Sequence, residues 1–350
     1  MAKRDSIKAI RGGSISYKPE LDGLRAIAVG VVVAFHFEKF KAGFLGVDIF
    51  FVLSGYLITR VLIANFANEK LFLNFYKKRY FRLFPILLAN VLVSSIVLLY
   101  IDHKFYGEYA LRTIFYLRNI FWSTTQGPDL WLHTWSLSAE EQFYLGYPVI
   151  LFFCWKKIKN KKYVAGLFFT YFIFCQFLNQ THYEFSGIGI FNWSILTRPS
   201  GLALGCALGV VSQLKISAKP SYLYLLYLLV ALTGFVAVES RSTFWADVMA
   251  ACVILSFEPF LQSGSSDAFR KVLAARPLPY LGRLSYSIYM WHPIVIFVVF
   301  HLWRQPSLLR GAAAILATLL VSGLSFHLIE LPANGYLVGR FCRNPQIREG

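Results

Sequence analysis

The chain has 350 residues, of which 57% are hydrophobic and only 15% are charged, and its net charge is +17. A charged share this far below the roughly 25% of soluble domains excludes an ordinary soluble protein and predicts a polytopic helical membrane protein. The basic residues cluster in short loops between apolar runs, as cytoplasmic loops do, which argues against nucleic-acid binding. The same pattern predicts that both termini are cytoplasmic.

The predicted fold class is all-α, a transmembrane helix bundle, because backbone groups in lipid must be satisfied within their own helices. One membrane domain (21–331) is expected between a cytoplasmic N-terminal tail (1–20) and a cytoplasmic C-terminal tail (332–350), with no cleavable signal peptide. The stretch 109–125 contains two arginines, which favours a surface-lying or re-entrant segment over a span. Ten spans are predicted near 22–39, 43–65, 84–101, 134–155, 163–179, 195–214, 221–238, 244–262, 285–303 and 308–330.

Motifs that would indicate a resident cofactor are absent from the sequence. The five cysteines lack metal-ligand spacing and four of them fall in predicted spans, so neither a metal site nor a disulfide framework is expected. There is no phosphate-binding loop, dinucleotide fingerprint or Gly-x-Ser-x-Gly elbow.

The first predicted span carries two ionisable residues, Arg25 and His36. Eleven positions on a helix return to nearly the same face, and they separate the two residues by roughly 16 Å along the axis. Ionisable groups are costly in hydrocarbon, so a shared face predicts a lined cavity rather than contact with lipid. This pair is the first candidate for a reaction site.

The second predicted span combines polar residues with glycines. Asp48 can belong to the same site, or it can be a solvated residue near the membrane surface, and the sequence leaves both interpretations open. The glycines predict a close approach of a neighbouring helix. The polar residues are Asp48, Ser54 and Tyr56, and the glycines are Gly43, Gly46 and Gly55.

Arg79 and Arg82 precede the third predicted span. At a spacing of three they share a helical face, so their guanidinium groups can form a paired clamp for phosphate. Juxtamembrane arginines are also common anchors, and that interpretation stays open.

Two adjacent carboxylates, Glu140 and Glu141, stand at the entrance of the fourth predicted span. One interpretation places them in the first turn of a helix capped by Ser138. In the other, one glutamate orients or balances the charge of His36. Trp135, just upstream, is typical of an interfacial belt residue.

Aromatic and histidine side chains open the ninth predicted span. Tyr286, Tyr289 and His292 recur at helical spacing, so they are predicted to line one face of that helix.

Four runs taken together closely resemble the acyltransferase 3 family: residues 17–28, 43–56, 135–144 and 284–292, in the family's order. The resemblance implies an integral membrane enzyme that moves an acyl group, most often acetyl, from cytoplasmic acyl-CoA to a hydroxyl of a surface glycan or lipid-linked saccharide. It also implies the bacterial inner membrane and no tightly bound cofactor.

The family's motifs fall on individual residues of this chain. The Arg/Lys-x10-His motif falls on Arg25 and His36, and the Arg-x-x-Arg motif on Arg79 and Arg82. The glutamate motif falls on the Glu140–Glu141 pair, with an alanine where a valine is frequent. Many members continue into an extracytoplasmic SGNH-type domain. This chain ends about twenty residues after the tenth predicted span, so either the membrane domain or a separate periplasmic protein is expected to complete the transfer.

The expected mechanism uses His36 as base or acyl relay, with Glu141 or Asp48 orienting its ring. Arg25, Arg79 and Arg82 are expected to bind the donor's phosphates. A transporter with a buried Arg/His/Glu relay is the rival function, but no inverted repeat is visible. Expected cavity-lining residues are Glu140, Ser54, Tyr56, Trp135, Tyr286, Tyr289 and His292.

Overall fold

The structure is a computed structural model, and its regular elements are all helical within the part of the chain that it describes. This confirms the predicted all-α class. The chain divides into two compact units. Unit 1 comprises 1–69, 119–122 and 136–283, and unit 2 comprises 70–118, 123–135 and 284–350. The described residues are 18–36, 41–104, 106–120, 129–185, 198–214, 222–240, 242–255 and 268–335.

The helices are numbered in chain order. Helices α3, α4, α12 and α13 belong to unit 2, and the others lie in unit 1 apart from the first residue of α5. A π-helical turn, Phe326–Glu330, continues α13. The helices are α1 (Pro19–Phe35), α2 (Phe44–Ala64), α3 (Leu71–Ile101), α4 (Gly107–Ile114), α5 (Trp135–Lys157), α6 (Lys161–Phe185), α7 (Ser200–Val211), α8 (Tyr222–Ser240), α9 (Thr243–Leu255), α10 (Ala268–Ala274), α11 (Leu278–Arg283), α12 (Ser285–Leu302) and α13 (Leu308–Ser325).

A helix occupies the main part of each predicted span. By length and apolar composition, four of the described helices can cross a membrane: α2, α3, α12 and the stretch Leu308–Gly335 that contains α13. Shorter apolar stretches lie in α7, α8 and α9. The total of ten spans and the side of the termini stay predictions. Helix α3 begins at Leu71 rather than near residue 84, so the Arg-x-x-Arg pair lies on the helix itself.

Helices α2 and α7 of unit 1 cross at two glycines. A Cβ on Gly55 would lie 2.1 Å from the Leu202 carbonyl oxygen, and a Cβ on Gly205 would lie 2.1 Å from the Val52 carbonyl oxygen. No larger residue fits at either position without separating the helices, because the atoms in the way belong to the backbone. The close approach predicted from Gly55 is therefore confirmed.

The other two glycines of the second predicted span hold α1 against the start of α2. A Cβ on Gly46 would lie 2.4 Å from the Ala28 carbonyl oxygen, and one on Gly43 would lie 2.0 Å from the Phe35 Cβ. Since His36 follows Phe35 directly, this packing fixes the end of α1 where the histidine lies.

Unit 2 is held together by contacts between α3 and α12. The Asn90 side-chain amide donates to the Met290 carbonyl oxygen at 2.8 Å, and the Tyr286 hydroxyl donates to the Leu83 carbonyl oxygen at 2.8 Å. An apolar cluster that includes Trp131 lies beside these contacts. These bonds set the register of α12, the helix that carries Tyr289 and His292.

Candidate functional site

His36 terminates helix α1. The continuous helix ends at Phe35, and His36 follows it as the C-cap with its side chain partly buried. The prediction that the helix continues to residue 39 does not hold at His36, and residues 37–40 lie outside the described part of the chain. A helix end exposes a side chain on more sides than a helix interior does, which suits a group that must meet a substrate.

The ring of His36 is oriented by its own helix. Its Nδ1 lies 3.1 Å from the Val32 carbonyl oxygen. A carbonyl only accepts, so Nδ1 carries the hydrogen, and the neutral ring has its lone pair on Nε2. This is the tautomer that a general base needs at Nε2.

Arg25 lies on the same uninterrupted helix, so the predicted separation of roughly 16 Å from His36 follows from the helical rise. Its guanidinium pairs with Asp22 at 3.4 Å, and its side chain is 21% exposed. A partly exposed guanidinium can bind a phosphate.

Asp48 is buried inside unit 1, at 1% exposure, and Arg198 donates to its Oδ1 at 3.2 Å. Because Asp48 is buried, its interpretation as a solvated surface residue is wrong. Arg198 compensates the charge of the buried carboxylate. Ser54 is partly buried, while Tyr56 is fully buried and accepts a hydrogen bond from Arg60.

Two charged residues that the sequence interpretation did not single out complete this region. Arg198 precedes α7, and Asp247 of α9 accepts hydrogen bonds from Ser200 at 2.7 Å and from Gln176 at 2.9 Å. Both lie within predicted spans (195–214 and 244–262), so the rule that flagged Arg25 would also have found them. We call Asp48, Arg198 and Asp247 the charged cluster.

The glutamate pair lies further into its helix than predicted. A short 3₁₀ turn, Leu132–Thr134, leads into α5, which begins at Trp135. Ser138 is therefore inside the first turn, and its predicted role as helix cap is wrong. Glu140 and Glu141 follow it and are partly buried, while Trp135 is buried at the start of the helix.

Arg79 and Arg82 share one face of α3 in unit 2, as their spacing predicted. Arg79 is partly buried and Arg82 is exposed. The buried carboxylate of Glu330 attracts Arg82 and accepts a hydrogen bond from Ser287 at 3.0 Å.

Tyr289 and His292 of α12 lie beside His133, all within unit 2. The Tyr289 hydroxyl donates to the His133 carbonyl oxygen, and the rings of His133 and His292 are 5.3 Å apart. His292 is completely buried, and its Nδ1 lies 2.7 Å from the Tyr289 carbonyl oxygen. The predicted common face of these residues is thus an internal face of the unit.

The stretch 109–125 was predicted to lie on the surface or to be re-entrant. Its described part, 109–120, contains most of the short helix α4 and no other helix. Arg118 is 3% exposed, donates to Asp129 and stacks on the ring of Tyr109 at 4.8 Å. Burial raises the pKa of the Asp129 carboxyl, and the attraction of Arg118 opposes this shift. The pair secures the chain that leads to His133.

Several buried polar atoms of unit 2 have no hydrogen-bond partner among the described residues. They come from α3, α12 and α13, whose contacts build this unit. Buried polar atoms in native proteins normally bind ordered water or a ligand. They are Asn90 Oδ1, Ser94 Oγ, Trp291 Nε1, Ser322 Oγ and Ser325 Oγ.

Comparison with characterised proteins finds relatives over most of the chain. It is 31% identical over 345 residues to "O-acetyltransferase OatA" of Staphylococcus aureus (strain NCTC 8325 / PS 47), covering 90% of this chain and 57% of the relative. It is 30% identical to "Peptidoglycan O-acetyltransferase OatA" of Listeria monocytogenes over 93% of this chain and 57% of that protein. The chain thus spans a little over half the length of the curated relatives that it matches. No solved structure matches.

The family described as "Acyltransferase domain", the acyltransferase 3 family, matches residues 18–327. This range contains the helices of both units from α1 to the first two residues of the π-helical turn. The apolar helices and the family together indicate a multi-pass membrane protein. The chain belongs to the acyltransferase 3 family.

Proposed function

We propose that this protein is a membrane O-acyltransferase that moves an acyl group, in the expected case acetyl from acetyl-CoA, from an acyl-CoA to a hydroxyl of a cell-surface glycan or lipid-linked saccharide. The observation that carries the proposal is the 3.1 Å contact between His36 Nδ1 and the Val32 carbonyl oxygen, which favours the tautomer whose basic nitrogen is Nε2. The name of the Listeria monocytogenes relative supports peptidoglycan as the glycan. Family membership does not favour the transporter alternative.

In the proposed reaction, His36 Nε2 takes the proton of the acceptor hydroxyl while the oxygen of that hydroxyl attacks the carbonyl carbon of the thioester. The carbon–sulfur bond breaks, and the CoA thiolate receives the proton from the imidazolium. The balance is one ester and one thiol formed from one thioester and one alcohol. A covalent route, in which Nε2 itself carries the acyl group between donor and acceptor, uses the same nitrogen.

Arg25 of unit 1 is proposed to bind a phosphate of the donor through charge-assisted hydrogen bonds, while phosphate binding by Arg79 and Arg82 of unit 2 stays a prediction. The roughly 16 Å between Arg25 and His36 suits the reach of an extended pantetheine arm. Glu141 is proposed to balance the positive charge that the His36 ring gains when it takes the proton. Binding from the cytoplasm agrees with the concentration of basic residues in the loops predicted to lie there.

The acceptor is proposed to use polar side chains within the helical units. A separate periplasmic transfer protein is a proposed partner, as are membrane lipids. We propose that the protein lies in the bacterial inner membrane and crosses it ten times. The proposed lining residues within unit 1 are Ser54, Tyr56 and Glu140, while a lining role for Trp135, Tyr286, Tyr289 and His292 of unit 2 stays a prediction.

The test is the ester-linked acetate of purified peptidoglycan. A strain of the source bacterium that lacks this protein is complemented with wild type, His36→Ala or, as a matched control, His301→Ala, whose histidine is exposed at the end of α12. Base-released acetate is expected to return with wild type and His301→Ala but not with His36→Ala at equal protein in the membrane. Equal acetate with His36→Ala would contradict the role of this histidine.

Acetate that is unchanged by loss of the protein would redirect the proposal to another glycan. The same strains then allow base-released acetate to be measured on the other surface polysaccharides. The expected result is again dependence on His36.

A further inference from the structure

The charged cluster of unit 1 contains more negative than positive charge. Asp48 and Asp247 are 1% and 0% exposed, and Arg198 is 6% exposed. If both carboxyl groups were ionised, the three side chains would carry a net charge of −1. Such a charge is expensive in the interior of a membrane protein unless something neutralises it.

The hydrogen bonds of the cluster leave one oxygen of each carboxyl group unused. Arg198 donates to Asp48 Oδ1, while Ser200 and Gln176 donate to Asp247 Oδ2. Asp48 Oδ2 and Asp247 Oδ1 are buried and have no hydrogen-bond partner in the part of the chain that the structure describes. An ionised carboxylate accepts bonds on both oxygens, whereas a protonated one becomes a donor.

The elements packed against α9 supply few charges. Helix α2 contributes Asp48, whose charge repels that of Asp247, and Arg198 contributes the attraction. Helix α6 contributes Gln176 and the thiol of Cys175, and α8 meets α9 through Gly234. Among the described residues these contacts provide one guanidinium for two carboxyl groups.

The space beside Asp247 is very small. A Cβ on Gly201 would lie 2.5 Å from Asp247 Oδ1 and 3.0 Å from the Phe51 Cβ. Asp247 Oδ1 and a carbon of α2 thus both lie close to the position where a side chain of α7 would begin. This packing favours the smallest cation, a proton, over a hydrated metal ion.

We propose that the charged cluster is a proton-binding site in which Asp48 and Asp247 together hold one proton at neutral pH. The proton comes from water when the protein folds, and no other bond is made or broken. It makes the cluster neutral, so that α2, α7 and α9 can pack against one another in the bilayer.

The first test is infrared difference spectroscopy of the purified protein in lipid nanodiscs. The difference between the wild-type spectrum and the Asp247→Asn spectrum is expected to show the carbonyl stretch of a protonated carboxylic acid. This band should shift when water is replaced by deuterium oxide. Asp48→Asn is expected to remove the same band, because the two groups share one proton. Glu330→Gln is the control, since this buried carboxyl lies in unit 2 and its removal must leave the band in place.

A second measurement uses the pH dependence of unfolding in mixed micelles. The folded protein holds a proton that an exposed aspartate has lost, so wild type becomes less stable as pH rises through the neutral range. Its unfolding constant is expected to rise about tenfold more per pH unit than that of Asp247→Asn. Asn has the shape of the protonated acid, so Asp247→Asn is expected to fold.

Two results would overturn the proposal. One is a folded Asp247→Asn protein whose carbonyl spectrum and pH dependence both equal those of wild type. The other is a wild-type stability that requires Na⁺ or K⁺ at constant pH and loses this requirement in Asp247→Asn, because the cluster would then bind a metal cation.

Discussion

Two polar regions of unit 1 use charge in opposite ways. In the charged cluster, Arg198 and Asp48 are 6% and 1% exposed and lie 150 positions apart in sequence. On α1, Arg25 is 21% exposed and pairs with Asp22 three positions away, while His36 is partly buried at the helix end. The first region ties distant helices together, whereas the second keeps its groups accessible.

The difference teaches where to look for function and where to look for stability. A buried pair is costly to break because the remaining charge loses its partner and stays out of water. A partly exposed pair on a single helix contributes little to folding, since solvent screens it and either side chain can relax. Changes in the cluster should therefore alter stability, and changes on α1 should alter catalysis.

The largest expected effect on stability comes from Arg198→Ala. It removes the cation that faces two buried carboxyl groups, and we expect a loss of about 3–5 kcal/mol in the free energy of unfolding. Arg198→Lys should lose less, because the charge stays. Denaturant unfolding in mixed micelles measures both, with exposed Arg304 changed to Ala as the control. If Arg198→Ala were as stable as wild type, the charged cluster would not stabilise the fold.

Gly205→Ala should have the next largest effect. Its methyl carbon would lie 2.1 Å from the Val52 carbonyl oxygen, so α2 and α7 must separate. We expect a loss of about 1–3 kcal/mol, as for other overpacked sites. Gly166→Ala on α6 is the matched control, since nothing lies within 4 Å of its Cβ position. If both variants were equally stable in the same micelle assay, the close crossing would be refuted.

Arg25→Ala is expected to have a small effect on stability and a larger one on donor binding. Loss of a charge-assisted phosphate contact should raise KM for acetyl-CoA about tenfold, which corresponds to about 1.4 kcal/mol. Arg25→Lys should keep most of the affinity, and Asp22→Ala should not raise KM, because it leaves the guanidinium in place. An unchanged KM in Arg25→Ala would place the phosphate site elsewhere.

Composition and hydropathy were sufficient to predict the helices, because a membrane protein must bury its backbone groups in helices whatever its tertiary contacts are. The glycines of the second predicted span also predicted close approach, and Gly43, Gly46 and Gly55 show it. These are local properties, and local patterns report them well.

The partners of the polar residues were not predictable in the same way. Asp48 pairs with Arg198, and Ser287 pairs with Glu330, across separations that no local pattern encodes. The predicted span 134–155 begins next to the observed helix start at Trp135, but the interpretation that made Ser138 the cap was wrong, because hydropathy does not locate a helix cap. Long-range pairing needs the tertiary structure.

The measurement that tests the central claim most directly is the release of CoA thiol from acetyl-CoA by the purified protein in nanodiscs, with a soluble glycan fragment as acceptor. Wild type and His36→Ala are compared at equal helicity and equal thermal stability. The proposed role of His36 as base predicts that thiol release falls at least about 100-fold in His36→Ala. Thiol release at the wild-type rate by a folded His36→Ala protein would contradict it.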